Sequence, residues 1–211
     1  MKHLFLTSVD ITGFLKYIDK SPSELKVFYT PTAAEPYENK LFIDEDRRQL
    51  HEAGVNFEEF NLKEIDKQDA DATFKQLFQD VDVLIVGGGN VFYLLQESLR
   101  TGFDEVVKRL VKSGVWYVGA SAGAVIAGST IEPLAPMDEP SIASDLQTYD
   151  GFGLVDFVII PHFANERFKE SAEAGVAICK GKGLEYKAIT NEESILVQDT
   201  QIKVVTKEIT S

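Results

Sequence analysis

Ser121 lies in Val115-Trp-Tyr-Val-Gly-Ala-Ser-Ala-Gly-Ala-Val-Ile-Ala-Gly128, inside a G-x-S-x-G frame. β-Branched and aromatic residues lead into Gly119, and small residues follow Ser121. That order reads as strand, tight turn and helix, the setting in which this motif presents a nucleophile. Gly119 and Gly123 let backbone segments approach closely, and the turn pushes the Ser121 hydroxyl out at the carboxyl end of a sheet. The helix that follows aims free N–H groups back at the serine, where an oxyanion could be held. A serine hydroxyl needs a base to take its proton, and the chain has three histidines. His3 opens the first strand, at the wrong end for a site, and His51 sits late in a charged helix. His162 follows the apolar run Val155–Ile160 directly, at a carboxyl end, and is the expected base.

The base needs a third group to fix its tautomer. Glu192 and Glu193, in the turn Thr190-Asn-Glu-Glu-Ser194, Asp138 and Glu139, in a long loop, and Asp156, in the strand before His162, are candidates, and residue types alone do not choose among them. Gly87-Gly-Gly-Asn90 follows a buried-type strand. No Gly-Lys-Ser/Thr accompanies it, as a phosphate loop requires, and G-x-G-x-x-G is absent. The expected role is an oxyanion hole, with one N–H from Gly88 or Gly89 and the other from Ala122. No H-E-x-x-H and no pair of Cys or His at ligand spacing suggests a metal.

The elements that must position these residues alternate. Strands are expected over 2–8, 25–30, 55–62, 81–86 and 115–118, with helices over 38–53, 68–79, 91–99 and 103–113 between them. A long loop spans 131–153. Then come a strand over 155–160, a helix over 165–180, and short strands over 186–190, 194–198 and 201–206. Phe103, Val106, Val107, Leu110 and Val111 follow helical spacing and stop at Gly114. Alternation of this kind predicts an α/β fold: a doubly wound, mostly parallel sheet with helices on both faces and a few antiparallel strands at the C-terminal end. Ligands then bind beyond the carboxyl ends of the strands. Gly87–Asn90, Ser121 and His162 all fall there.

The chain has 211 residues, 44% hydrophobic and 26% charged, which suits one domain over 1–211. A net charge of −13 and a pI near 4.7 argue against nucleic acid and anionic membrane surfaces as partners. No apolar run reaches bilayer length, and the first residues read as a strand rather than a signal peptide. The single cysteine, Cys179, fits a reducing cytoplasm and a buried structural thiol.

Gly87-Gly-Gly-Asn90, Gly119-Ala-Ser-Ala-Gly-Ala124 and Ile160-Pro-His-Phe163, in this order, together resemble the peptidase E (aspartyl dipeptidase) family of serine peptidases over nearly the whole chain. The resemblance implies a class I glutamine amidotransferase-like fold and a Ser–His–Glu triad. Ser121 matches the nucleophile and His162 the base. Glu192 is the best match for the glutamate, with Glu193 one residue away. An amidotransferase is disfavoured by Ser121 in place of cysteine and by His162-Phe-Ala164 in place of His-x-Glu. Two departures touch specificity. Relatives with aspartyl preference tend to have Trp before the serine, where this chain has Ala120. They also carry Asn-Asp-Met-Pro after the elbow, where it has Pro136-Met-Asp-Glu-Pro140. Asn90, Asp138 and Arg167 are expected to meet the substrate. The expectation is thus a cytoplasmic serine exopeptidase for dipeptides or short peptides, without a cofactor, as a monomer or dimer. Rivals are an esterase or amidase with the same residues, or a non-catalytic binding domain.

Overall fold

A computed structural model describes residues 1–207; the expected domain span 1–211 therefore ends in four residues outside the described ones. The strands are His3–Thr7 (β1), Val27–Thr30 (β2), Phe57–Glu59 (β3), Val83–Val86 (β4), Trp116–Ala120 (β5), Val158–Ile160 (β6), Tyr186–Ala188 (β7), Glu193–Gln198 (β8) and Gln201–Thr206 (β9). The helices are Leu41–Glu52 (α1), Ala70–Leu77 (α2), Val91–Thr101 (α3), Phe103–Ser113 (α4), Ala122–Val125 (α5) and Lys169–Lys182 (α6).

Seven strands form one sheet in the order β3-β2-β4-β5-β1-β8-β9. The pairs among β3, β2, β4, β5 and β1 are parallel, whereas β8 runs antiparallel to both β1 and β9. Val83-Leu-Ile-Val86 shows why: all four residues are buried, as in a strand covered on both faces. Leu84 and Val86 join the core beneath α3 and α4 with Phe92, Phe103 and Val107. Val83 and Ile85 join the opposite core with Ile43 and Leu50 of α1. This is the mostly parallel α/β architecture that the alternation predicts.

Several expected bounds shift: β3 covers only Phe57–Glu59 of the expected 55–62 and β7 only Tyr186–Ala188 of 186–190, and two further changes lie next to the site. The strand before His162 is shorter than 155–160, because the Leu154 and Val155 amides both donate to the Ala127 carbonyl and are spent outside any ladder. β6 pairs with β7 alone, in a separate two-stranded parallel sheet. The helix expected from Asn165 begins at Lys169. The Asn165 side chain accepts from the Arg167 amide at 3.0 Å, holding that stretch in a turn. Cys179 is fully buried on α6. No helix among the described residues is long and apolar enough to cross a membrane.

Candidate active site

Ser121 sits between β5 and α5 with φ 49° and ψ −111°, a conformation that costs an L-residue roughly 1–3 kcal/mol. The surroundings enforce it. The Ser121 amide donates to the Thr7 carbonyl at 2.9 Å. A Cβ on Gly119 would lie 2.3 Å from the Gly123 carbonyl oxygen, and one on Gly123 would lie 2.0 Å from that of Val86. Both motif glycines are therefore steric requirements of the turn.

His162 comes from the other sheet, just past β6, with φ 57°. Its amide donates to Ser8 Oγ at 3.0 Å. Ser8, at the end of β1, in turn donates to the Thr190 carbonyl at 3.0 Å. One hydroxyl thus ties the main sheet to both loops of the small one. The imidazole stacks on Phe168 with ring centroids 4.6 Å apart. Its Nε2 lies 2.9 Å from Ser121 Oγ, and its Nδ1 lies 2.8 Å from Asn191 Oδ1. With Nδ1–H donating to the amide oxygen, Nε2 is left as the acceptor for the serine hydroxyl. Burial holds the His162 pKa below the ordinary 6.5. The Asn191 bond opposes this, and the Arg167 charge adds to it.

None of the acids expected at the histidine touches it. Glu192 is exposed, with its amide donating to Thr190 Oγ1 at 3.3 Å. Glu193 accepts from the Thr190 amide at 2.9 Å and closes the turn. Asp138 accepts from the Val91 amide at 2.8 Å at the start of α3. The turn aims Asn191 at His162 and leaves Glu192 facing solvent.

Gly88 packs against the serine: a Cβ there would lie 3.2 Å from Ser121 Cβ. Gly89 has φ 138°, and a Cβ on it would lie 2.1 Å from the Ala33 carbonyl oxygen. Among the described residues, the amides of Gly88, Gly89 and Ala122 donate to no carbonyl or side chain, although Gly88 and Ala122 are buried. Asn90, expected at the substrate, is fully buried. Its amide group accepts from Tyr93 N at 2.9 Å and donates to the Glu139 carbonyl at 3.0 Å. These bonds tie the glycine loop to the start of α3 and to the long loop, and Asn90 is not among the residues that line the cavity.

Ser121, His162, Asn191, Gly88 and Gly89 line one cavity of about 830 Å³. Asp138 and Arg167 line it as well. Burial raises the Asp138 carboxyl to about 6, against the Val91 bond. Arg167 lies over the Phe168 ring at 5.2 Å, extending the stack that begins at His162. Ser8, Asp46, Phe168 and Asn191 are among the cavity residues that sequence reasoning missed. Ser8 carried a usable signal, its place at the carboxyl end of the first strand. Phe168 and Asn191 depend on loop geometry, and Asp46 on how α1 packs against Tyr29.

Residues 7–205 match the model of peptidase family S51. An uncharacterized peptidase of Listeria innocua is 34% identical over 204 residues, which cover 96% of this chain and 95% of that protein. A peptidase E of Citrobacter koseri is 44% identical over 86 residues, covering 41% of this chain and 36% of its own length. A crystal structure of a Listeria monocytogenes protein, provisionally named peptidase E, superposes with a TM-score of 0.87 at 30% identity. It covers 99% of this chain and all (100%) of that one. A peptidase from an acI-B1 actinobacterium shares the fold, with a TM-score of 0.62 at 20% identity, covering 98% of this chain and 88% of that one. The chain belongs to peptidase family S51, the peptidase E family, and is a serine-type peptidase.

Proposed function

We propose that the protein hydrolyses dipeptides or short peptides through a relay of Ser121, His162 and Asn191. The observation that carries this is the unbroken line from Ser121 Oγ to His162 Nε2 at 2.9 Å and from His162 Nδ1 to Asn191 Oδ1 at 2.8 Å. Ser121 Oγ attacks the scissile carbonyl while Nε2 takes its proton. The amides of Gly88 or Gly89 and of Ala122 receive the charge that develops on oxygen. His162 returns the proton to the leaving amine, and water then attacks the acyl-enzyme by the reverse path. Asn191 does the orienting half of a carboxylate's work. It holds the tautomer but brings no negative charge to stabilise the imidazolium. Arg167, beside the histidine that protonates the leaving group, is where a carboxylate of the substrate would be met, whether a C-terminus or an aspartyl side chain. The reaction needs no cofactor.

An active-site titration tests this reading. A fluorophosphonate followed by intact mass should label the wild type once and Ser121→Ala not at all. Ser121→Ala and His162→Ala should each lower kcat/KM on a dipeptide panel by about 10³-fold or more, with melting temperatures unchanged. Full turnover in both variants would sink the reading.

A further inference from the structure

The turn after His162 has a shape that the relay alone does not require. His162 and Ala164 both hold a positive φ, 57° and 62°, in a region that residues with side chains enter only under strain. Backbone bonds then fold the chain back twice within seven residues. The Asn165 amide donates to the His162 carbonyl, and the Phe168 amide donates to the Asn165 carbonyl, both at 3.0 Å. The Phe168 carbonyl accepts from the Ala172 amide at 2.8 Å and from the Ser171 hydroxyl at 3.0 Å, which seats Phe168 at the N-cap of α6. The outcome is one contact. Phe168 lies flat on the imidazole of His162, with ring centroids 4.6 Å apart and planes 22° from parallel.

That imidazole is otherwise weakly held. Its ring nitrogens meet Ser121 Oγ and Asn191 Oδ1, and both partners are neutral. A bond to a carboxylate would be the stronger one, but Glu192 is exposed, Glu193 closes the Thr190 turn and Asp138 bonds the Val91 amide. The charge that acts on the ring is that of Arg167, which lies over Phe168 at 5.2 Å. Bonds to the ring nitrogens run along the edge of the imidazole and leave its faces unguarded. Water reaching a face would compete for both nitrogens and let the proton settle on Nε2, and a ring protonated there does not accept the serine proton. An aromatic ring packed flat on the imidazole resists its rotation and keeps water from that side.

We propose that Phe168 is a positioning residue of this peptidase: its ring, brought over His162 by the strained turn, holds the imidazole in the orientation and the Nδ1–H form that Ser121 needs, and so does part of the work of an absent carboxylate. This rests on the relay reading for which nitrogen meets the serine, but nitrogen NMR of histidine-labelled protein reads the ring without turnover. The wild type should show His162 as a single tautomer, protonated on Nδ1. Phe168→Leu keeps the apolar bulk and loses the flat face. It should mix in the Nε2–H form and slow fluorophosphonate labelling of Ser121 about tenfold, less than outright loss of a positioned base. Phe168→Tyr restores a ring, and should return both the single tautomer and a rate within about twofold of the wild type. A packing role alone would let leucine serve as well as tyrosine. The wild-type tautomer and rate in folded Phe168→Leu would overturn the proposal. So would a wild-type His162 found as a mixture or on Nε2, a result that needs no variant to fold. If the tautomers follow the expected pattern while wild-type Ser121 resists the fluorophosphonate and no dipeptide is cleaved, the role of Phe168 stands and the relay falls.

Discussion

At the scale of single residues, the proposed relay ties the pH behaviour to His162. His162 must be uncharged to accept the serine proton. Its pKa lies below 6.5, through burial first and then the Arg167 charge, against the Asn191 bond. The rate of fluorophosphonate labelling should therefore be flat through neutrality and fall only below the ordinary imidazole range. Arg167→Ala should move that fall to higher pH. Asn191→Ala should cost about 10²-fold in kcat/KM, the lower end of what a positioned base contributes. Glu192→Gln, on an exposed side chain, should change it by less than about twofold.

At the scale of elements, the serine turn is rigid because three backbone segments meet without room for a methyl group. Gly123→Ala would drive a Cβ to 2.0 Å from the Val86 carbonyl oxygen. Neither partner is a flexible side chain, so the loss should reach about 3 kcal/mol, the upper range for overpacking. Urea denaturation followed by tryptophan fluorescence would show it; an unchanged midpoint would contradict the packing. The same elements explain what was legible beforehand. G-x-S-x-G between an apolar run and small residues places Ser121, because its glycines are demanded by backbone contacts that hold wherever the motif folds this way. His162 was legible from its place after an apolar run, although that run contributes only three residues to β6. The partner of His162 was not legible. Asn191, Glu192 and Glu193 are adjacent, and a one-residue change in turn phase decides which side chain points inward. The phase is set by the Glu193 bond to the Thr190 amide, a contact that spacing does not reveal. Asp46 was hidden for a related reason: among the many acids of α1, only packing against Tyr29 marks it as buried.

At the scale of the whole molecule, the net charge of −13 surrounds a cavity where, among the described lining residues, Glu38, Glu45, Asp46 and Asp138 face the single basic residue Arg167. Such a field draws cations and slows anions. For a dipeptide amide with net positive charge, kcat/KM should fall about threefold between roughly 20 and 200 mM NaCl, as screening shortens the range of attraction. A zwitterionic dipeptide should respond weakly. Equal salt dependence for both would mean that the charge of the surface does not reach the cavity.

The Ser8 tie has a consequence in time rather than in space. The contacts that complete the site join residues far apart in the chain: 154 positions between Ser8 and His162, 41 between Ser121 and His162, and 29 between His162 and Asn191. Loops of that length close late, after local helices and neighbouring strands have formed. The two sheets can each be complete while the histidine still lacks its serine. During refolding, far-UV dichroism should recover before Ser121 regains its reactivity, and in rising urea reactivity should vanish first. Ser8→Ala, which removes the hydroxyl tie while leaving both sheets intact, should widen that gap.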